Sequence, residues 1–236
     1  MTGAATDGSQ VLQQVLESKR ELMFVRHAQA WCNVEDTVGG PLGCRGLTRQ
    51  GHDQARRLAD RLAARQADNR SRVDALYCSP RLRAVETAEP VAEALNLPLR
   101  VQPDLREQDL GEADGLPRVV LHSTCEGNPV LQPWRAPAVG AESWSTYVDR
   151  IRRVLDSILQ SHEGHRLLLI THGEAINAAH HIFLGLPPRW PGPLPVTVAN
   201  AAITRWRREP WERHRPQLGL RWDLQAHNDT AHITAS

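Results

Sequence analysis

The chain has 236 residues and a formal net charge of +1, with 41% hydrophobic and 23% charged residues. That composition suits one substantial core and excludes disordered and collagen-like classes, and its charge argues against a general nucleic-acid or membrane-surface binder. No apolar run approaches the roughly 20 residues of a membrane span, and the first twenty residues lack an apolar signal region, so a cytoplasmic protein is expected.

Met1 to Arg20 reads as an N-terminal tail, with residues 21–236 forming a single domain. Glu21 to Arg26 is a short apolar run before a polar turn, the pattern of a buried strand. Glycines 39, 40, 43 and 46 mark a long loop, and Thr48 is placed to cap a helix carrying Ala55, Leu58, Ala59 and Leu62. Val73 to Cys78 predicts a second strand, and Ser79-Pro80 a following helix with proline at its first position. Leu97 to Val101 is a short third strand. Residues 104–140 are rich in loop signals, with prolines at 117, 129, 133 and 137, and read as a lid over one end of the sheet. Ser143 to His162 is an amphipathic helix, Arg166 to Thr171 the clearest central strand, and Gly173 to Leu184 its helix. Val196 to Trp206 and Leu220 to Leu224 read as C-terminal strands. Strands alternating with helices imply a three-layer α/β/α sandwich around a mostly parallel sheet, with sites at the carboxyl ends of strands.

Four cysteines, at 32, 44, 78 and 125, form no CxxC pair, so reduced thiols are expected rather than a zinc site. The eleven histidines show no HExxH spacing, and the adjacent His180 and His181 cannot share a helix face. No metal and no cofactor are therefore expected. Lys19 is the lone lysine among 28 basic residues, so arginine supplies nearly all the positive charge.

Three strands run directly into groups that suit phosphate. The first ends Val25-Arg26-His27, the second Cys78-Ser79-Pro80 with Arg83 soon after, and the fourth Thr171-His172-Gly173. Parallel strands would bring Arg26, His27, Arg83 and His172 together. Singly, each has an ordinary explanation as a solvated charge or a hydrogen-bonded histidine; their conjunction at three strand ends points to a site.

These segments resemble the histidine phosphatase superfamily, the phosphoglycerate mutase-like fold. Arg26-His27-Ala28-Gln29 with Asn33 is similar to the family's RHG signature and the asparagine after it. Gly46 to Gly51 with Gln54-Ala55, Ser79-Pro80 with Arg83-Ala84 and Thr87-Ala88, Leu105 to Glu107 with Gly111 and Gly115, Thr171-His172-Gly173, and Asn200-Ala201 with Ile203 resemble its later motifs in order. The resemblance implies a metal-independent phosphomonoester hydrolase acting on a small phosphorylated substrate. His27 would be the nucleophile that becomes a phosphohistidine. Its second ring nitrogen would be held by an acceptor such as a main-chain carbonyl. Arg26 and Arg83 would hold phosphoryl oxygens, joined by His172, cationic when phosphate is bound. The N–H of Gly173 at a helix start and the amide of Asn33 complete the donors. Glu107 is placed as general acid and base ahead of Asp109, Glu112 and Asp114. Because His27 must be neutral and Glu107 protonated, an acidic to neutral bell-shaped pH profile is expected.

Ala28 and Ala30 depart from the family's usual glycine and hydroxyl residue. Ala28 fits only where no strongly positive φ is needed, and Ala30 removes a hydroxyl beside the phosphate. The longer loop 39–45 brings Arg45 into consideration as a substrate contact, with Trp31, His122, Trp134 and Arg135 at the entrance; Trp144 reads as core or interface. The run from Leu116 to His122 lacks the insertion that the resemblance associates with cofactor-dependent mutases, so hydrolysis is preferred to mutase-type transfer. An inactive phospho-ligand-binding member would have lost a functional group, and none is lost. No oligomeric state is legible, and a homodimer stays open.

Overall fold

The computed structural model describes residues 21–66, 72–124, 131–162, 165–187, 196–212 and 219–234. The expected tail at 1–20, Cys125, Pro129 and the side chain of His122 lie outside the described residues.

Six strands form one sheet: β1 (Glu21–Arg26), β2 (Ala75–Cys78), β3 (Leu99–Val101), β4 (Arg166–Thr171), β5 (Ile203–Pro210) and β6 (Leu220–Asp229), in the spatial order β3-β2-β4-β1-β5-β6. The first four are parallel, while β5 runs antiparallel to β1 and β6 antiparallel to β5. The inner positions of β1 and β4, Leu22 to Val25 and Leu167 to Ile170, are all apolar because both faces are covered. Leu22, Phe24, Leu167 and Leu169 face one layer, and Met23, Val25, Leu168 and Ile170 the other.

The second layer holds α2 (Arg49–Gln66) and α3 (Leu82–Leu95), which follow α1 (Trp31–Val34) in the chain. The opposite layer holds α5 (Trp144–Ser161) and α6 (Gly173–Phe183), after the short α4 (Arg118–Thr124); α7 (Ala231–Thr234) closes the described chain. Leu58 and Leu62 recur on one face of α2, while Tyr147, Ile151, Val154, Leu155 and Ile158 line one face of α5, so each helix buries a stripe against the sheet. Truncating a buried anchor such as Phe24 to alanine would cost about 3–5 kcal/mol. The three-layer α/β/α expectation holds.

Thr48 caps α2 as its sequence position suggests, its hydroxyl accepting from the N–H of Gly51 at 3.0 Å. Gly51 must be glycine, because a Cβ there would stand 2.0 Å from the carbonyl oxygen of Gln29. The helix start is thereby seated directly on the segment after His27.

Local expectations shift in three places. Val73 and Asp74 are held outside the β2 ladder, where the Gln66 side chain takes both main-chain groups of Val73. Pro80 is not the first residue of α3. Residues 79–81 turn instead, because the Ser79 N–H continues the sheet to the Ile170 carbonyl at 3.0 Å, and the helix starts at Leu82. The strand expected from Val196 begins only at Ile203. Ala201 stands in the left-handed region at φ 57° and donates its N–H to the carbonyls of Arg26 at 3.0 Å and His27 at 3.3 Å.

Candidate active site

The three chemically marked strands, β2, β4 and β1, are neighbours in the sheet. Their register pairs Arg26 with Thr171 and Cys78 with Ile170, so the residues that follow leave the sheet at one level. The N–H of His27 bonds to the Thr171 carbonyl at 2.8 Å, extending the ladder by one residue. Here a cavity of about 720 Å³ opens, lined by Arg26, His27, Asn33, Arg83, Glu107 and Gly173 among others.

His27 is buried, and its Nδ1 lies 2.8 Å from the Ala28 carbonyl. A carbonyl only accepts, so Nδ1 carries the proton and Nε2 presents its lone pair. Arg83 donates from Nε to that Nε2 at 3.0 Å, from Nη1 to the Gly39 carbonyl at 2.6 Å and from Nη2 to His172 Nδ1 at 3.1 Å. Guanidinium cannot accept, so Nδ1 of His172 is unprotonated and its Nε2–H donates to Ser79 Oγ at 2.7 Å. Both histidines are therefore neutral in this arrangement. Burial first, then the field of Arg83, holds each well below the usual imidazole range, and Arg26 adds to the effect.

Arg26 donates from Nη1 to the Val198 carbonyl at 2.5 Å and lies beside Gly173, where a Cβ would stand 3.7 Å from its Cδ and Nε. Burial lowers its pKa, with Glu107 opposing the shift and Arg118 and Arg83 assisting it. Asn33 accepts from the Ala30 N–H at 3.0 Å and from Asn200 Nδ2 at 3.1 Å. Its oxygen is thus committed, and its NH₂ end is the group available to an anion. Asn200 also donates to the His27 carbonyl at 3.0 Å.

Ala28 is absent from the non-glycine residues with positive φ among those described, so alanine fits where a glycine is usual. Its N–H donates to Thr87 Oγ1 at 3.0 Å, and that hydroxyl donates to the Arg83 carbonyl at 2.6 Å, coupling the His27 turn to α3.

Glu107 reaches the same cavity from the loop after β3. Its Oε2 is 3.8 Å from His172 Nδ1, and its Oε1 accepts from Tyr147 at 3.3 Å. Burial, then the charge of Glu107, raises the Tyr147 pKa well above the usual phenol range, so the phenol keeps its proton. Arg150 supports this loop from below, donating to the carbonyls of Asp104 at 2.7 Å and Arg106 at 3.1 Å and to both carboxylate oxygens of Glu142. Nothing in the sequence marks Arg150 apart from its position on the apolar stripe of α5. Asp114 is a loop anchor, as its place before Gly115 suggests: it accepts from the N–H groups of Gly40 at 2.7 Å, Leu42 at 2.7 Å and Gly43 at 3.1 Å.

Two sequence candidates stand apart. Trp31 and Arg45 do not line the cavity. Trp31 is 43% exposed on α1, Arg45 stacks over its ring at 5.5 Å, and Glu35 pairs with the same guanidinium. The local carboxylate and aromatic ring satisfy Arg45 on the outer surface. Arg135 lines the cavity, while Trp134 is 59% exposed away from its lining. Trp144, which the sequence left between core and interface, is core and also lines the cavity.

Residues missed by sequence reasoning are Arg118 from α4 and Glu174 and Asn177 from the first turns of α6. Residues 173–177 follow a recognisable histidine motif, so Glu174 at the second helical position was the available signal. Cys44 also adjoins Arg83. Burial pushes its thiol up, but Arg83 and nearby main-chain donors pull it below the usual value. Among the described residues no three His, Cys, Asp or Glu side chains gather as metal ligands, and no helix is long and apolar enough to cross a membrane.

The profile of the histidine phosphatase superfamily (branch 1) matches residues 22–218. A putative phosphoserine phosphatase of Hydrogenobacter thermophilus is 30% identical over 190 residues, covering 78% of this chain and 88% of that protein. A probable phosphoglycerate mutase of Yersinia enterocolitica is 26% identical over 222 residues, covering 90% and 94%. Among solved structures, a mycobacterial glucosyl-3-phosphoglycerate phosphatase superposes with a TM-score of 0.73 at 26% identity, covering 90% of this chain and all of that one.

Proposed function

The chain belongs to the histidine phosphatase superfamily, and from that premise we propose that this phosphatase hydrolyses a small phosphomonoester through a phosphohistidine on His27. One observation carries the reading. His27 Nδ1 is bound to the Ala28 carbonyl, which leaves the lone pair of Nε2 directed at the guanidinium of Arg83.

In the first step an incoming phosphoryl oxygen takes the Arg83 Nε–H and frees Nε2. Arg26, the Asn33 amide and the N–H of Gly173 hold the remaining oxygens. The Nε2 lone pair forms the N–P bond as the ester P–O bond breaks, and the leaving oxygen takes a proton from Glu107. Tyr147 occupies Oε1, so Oε2 is the oxygen that carries it. The dianion opposes the arginine field and accepts the Arg83 Nη2–H that His172 Nδ1 had accepted, so that Nδ1 takes a proton from water and donates to phosphate. In the second step Glu107 removes a proton from water, the water oxygen bonds to phosphorus, and the P–N bond breaks. Arginines fixed before substrate arrives stabilise the transferring group without reorganisation.

A second reading, mutase-type transfer, draws on the relatives described as probable phosphoglycerate mutases. Incubation with 3-phosphoglycerate separates the two: inorganic phosphate is the hydrolytic product, and 2-phosphoglycerate with little free phosphate would replace hydrolysis by transfer. A phosphate-release screen over a broad panel of monoesters, with His27→Ala as the blank, tests the reading as a whole. Release by the variant at the wild-type rate would overturn it.

A further inference from the structure

The leaving-group end of the cavity carries polar groups that the phosphoryl chemistry does not use. Glu174 lines it from the second position of α6, and Asn177 from one turn further on. Their side chains touch, with Asn177 Nδ2 donating to Glu174 Oε2 at 3.4 Å. Asn177 is only 6% exposed, yet its amide oxygen has no hydrogen-bond partner among the described residues. Trp144 lines the same cavity from the start of α5, is 5% exposed, and its indole N–H is likewise without a partner there. Buried polar atoms of this kind cost free energy unless something pairs with them, on the order of 1–3 kcal/mol each.

The chemistry of the three groups restricts what can fill them. Trp144 can only donate. The Asn177 oxygen only accepts, and the Glu174 carboxylate accepts. An ammonium would satisfy the acceptors, leave the indole unpaired and meet the charges of Arg26 and Arg118 on the same cavity. A carboxylate would suit the indole and repel Glu174, whose pKa burial, then Glu107, already raises. A hydroxyl both donates and accepts, so a polyhydroxylated group pairs with all three.

We infer that Glu174, Asn177 and Trp144 form a subsite reading hydroxyl groups on the leaving alcohol, making the substrate class a sugar or polyol phosphate. This rests on the phosphatase reading above. Specificity follows because an ester lacking hydroxyls leaves the buried partners unpaired.

The test compares kcat/KM for ribose 5-phosphate and glycerol 3-phosphate with that for propyl phosphate and ethanolamine phosphate. It uses the wild type and two variants that preserve packing, Trp144→Phe and Glu174→Gln. The wild type is expected to favour the two hydroxylated esters. Each variant should lose about tenfold more on them than on propyl phosphate, chiefly through KM. Equal losses on all esters, no loss, or preference for ethanolamine phosphate would overturn the inference. If no ester is hydrolysed, the phosphatase reading fails on its own. The subsite is then decided by calorimetry on His27→Ala, where ribose 5-phosphate should bind more tightly than propyl phosphate and lose that advantage with Trp144→Phe; equal binding rejects the subsite.

Discussion

At the His27 end of the cavity, His27, Ser79 and His172 leave three adjacent strands at one level, and main-chain bonds fix them there. At the Glu107 end, Glu107 rides on a loop between 3₁₀ turns, and its position depends on Arg150, Tyr147 and Glu142 reaching across from another layer. The first end inherits its geometry from sheet register. The second is assembled by side chains distant in sequence. A change at the first end should strike chemistry with little loss of fold, and a change in the supports of the second should loosen both.

The largest effect is expected from His27→Ala, a loss of at least about 10⁴-fold in kcat, with far-ultraviolet circular dichroism unchanged. Arg83→Lys keeps a charge but cannot serve Gly39, His27 and His172 together. Phosphate-release assays should show a drop of about 10²–10³-fold. Arg150→Met leaves Glu142, 15% exposed at its side chain, without its bidentate partner. Stability should fall by about 3 kcal/mol in urea melts, with roughly a tenfold loss of kcat as the Glu107 loop relaxes. If Arg150→Met proved as stable as wild type, the contrast between the two ends would fail.

A pH test sharpens the same contrast. Burial, then Arg83, depresses His27 and His172, and burial, then His227, holds His180 at about 4. For a depressed histidine the unfolded chain binds the proton first. Its contribution to stability is therefore full above about pH 6.5 and declines as pH falls toward the folded value. Urea midpoints should be lower at pH 5 than at pH 7, and a higher midpoint at pH 5 would contradict the neutral, arginine-ringed pair. The smallest effects belong to Trp31→Ala and Arg45→Ala. Both lie outside the cavity and should change kcat/KM by less than about twofold.

The difference between the two ends also explains what the sequence made legible. Strand periodicity placed β1 and β4 to the residue, and the turns that follow named Arg26, His27, Arg83 and His172, because local pattern and the chemistry of those residue types coincide there. Glu107 came from the resemblance of its spacing to Gly111 and Gly115 to the family's proton-donor loop. Gly111 sits at φ 54°, where a Cβ would meet the Val139 carbonyl at 2.1 Å, so its glycine reflects packing against a segment nearly thirty residues away. Arg150, Tyr147, Trp144 and Asn177 gave no such local signal. Each lies on a buried helical face, where periodicity predicts burial and does not say which loop or cavity a buried polar residue serves. Arg45 erred in the opposite direction: proximity in sequence to the His27 loop suggested substrate, while Glu35 and Trp31 hold it outside.

The central claim is that phosphate passes through His27. The direct measurement is a rapid acid- and alkali-quenched turnover with ³²P-labelled substrate, followed by peptide mapping. The account predicts acid-labile, alkali-stable label on the peptide containing His27 that disappears as substrate is exhausted and is absent from His27→Ala. Full turnover with no protein-bound label, or label on another residue, would contradict it.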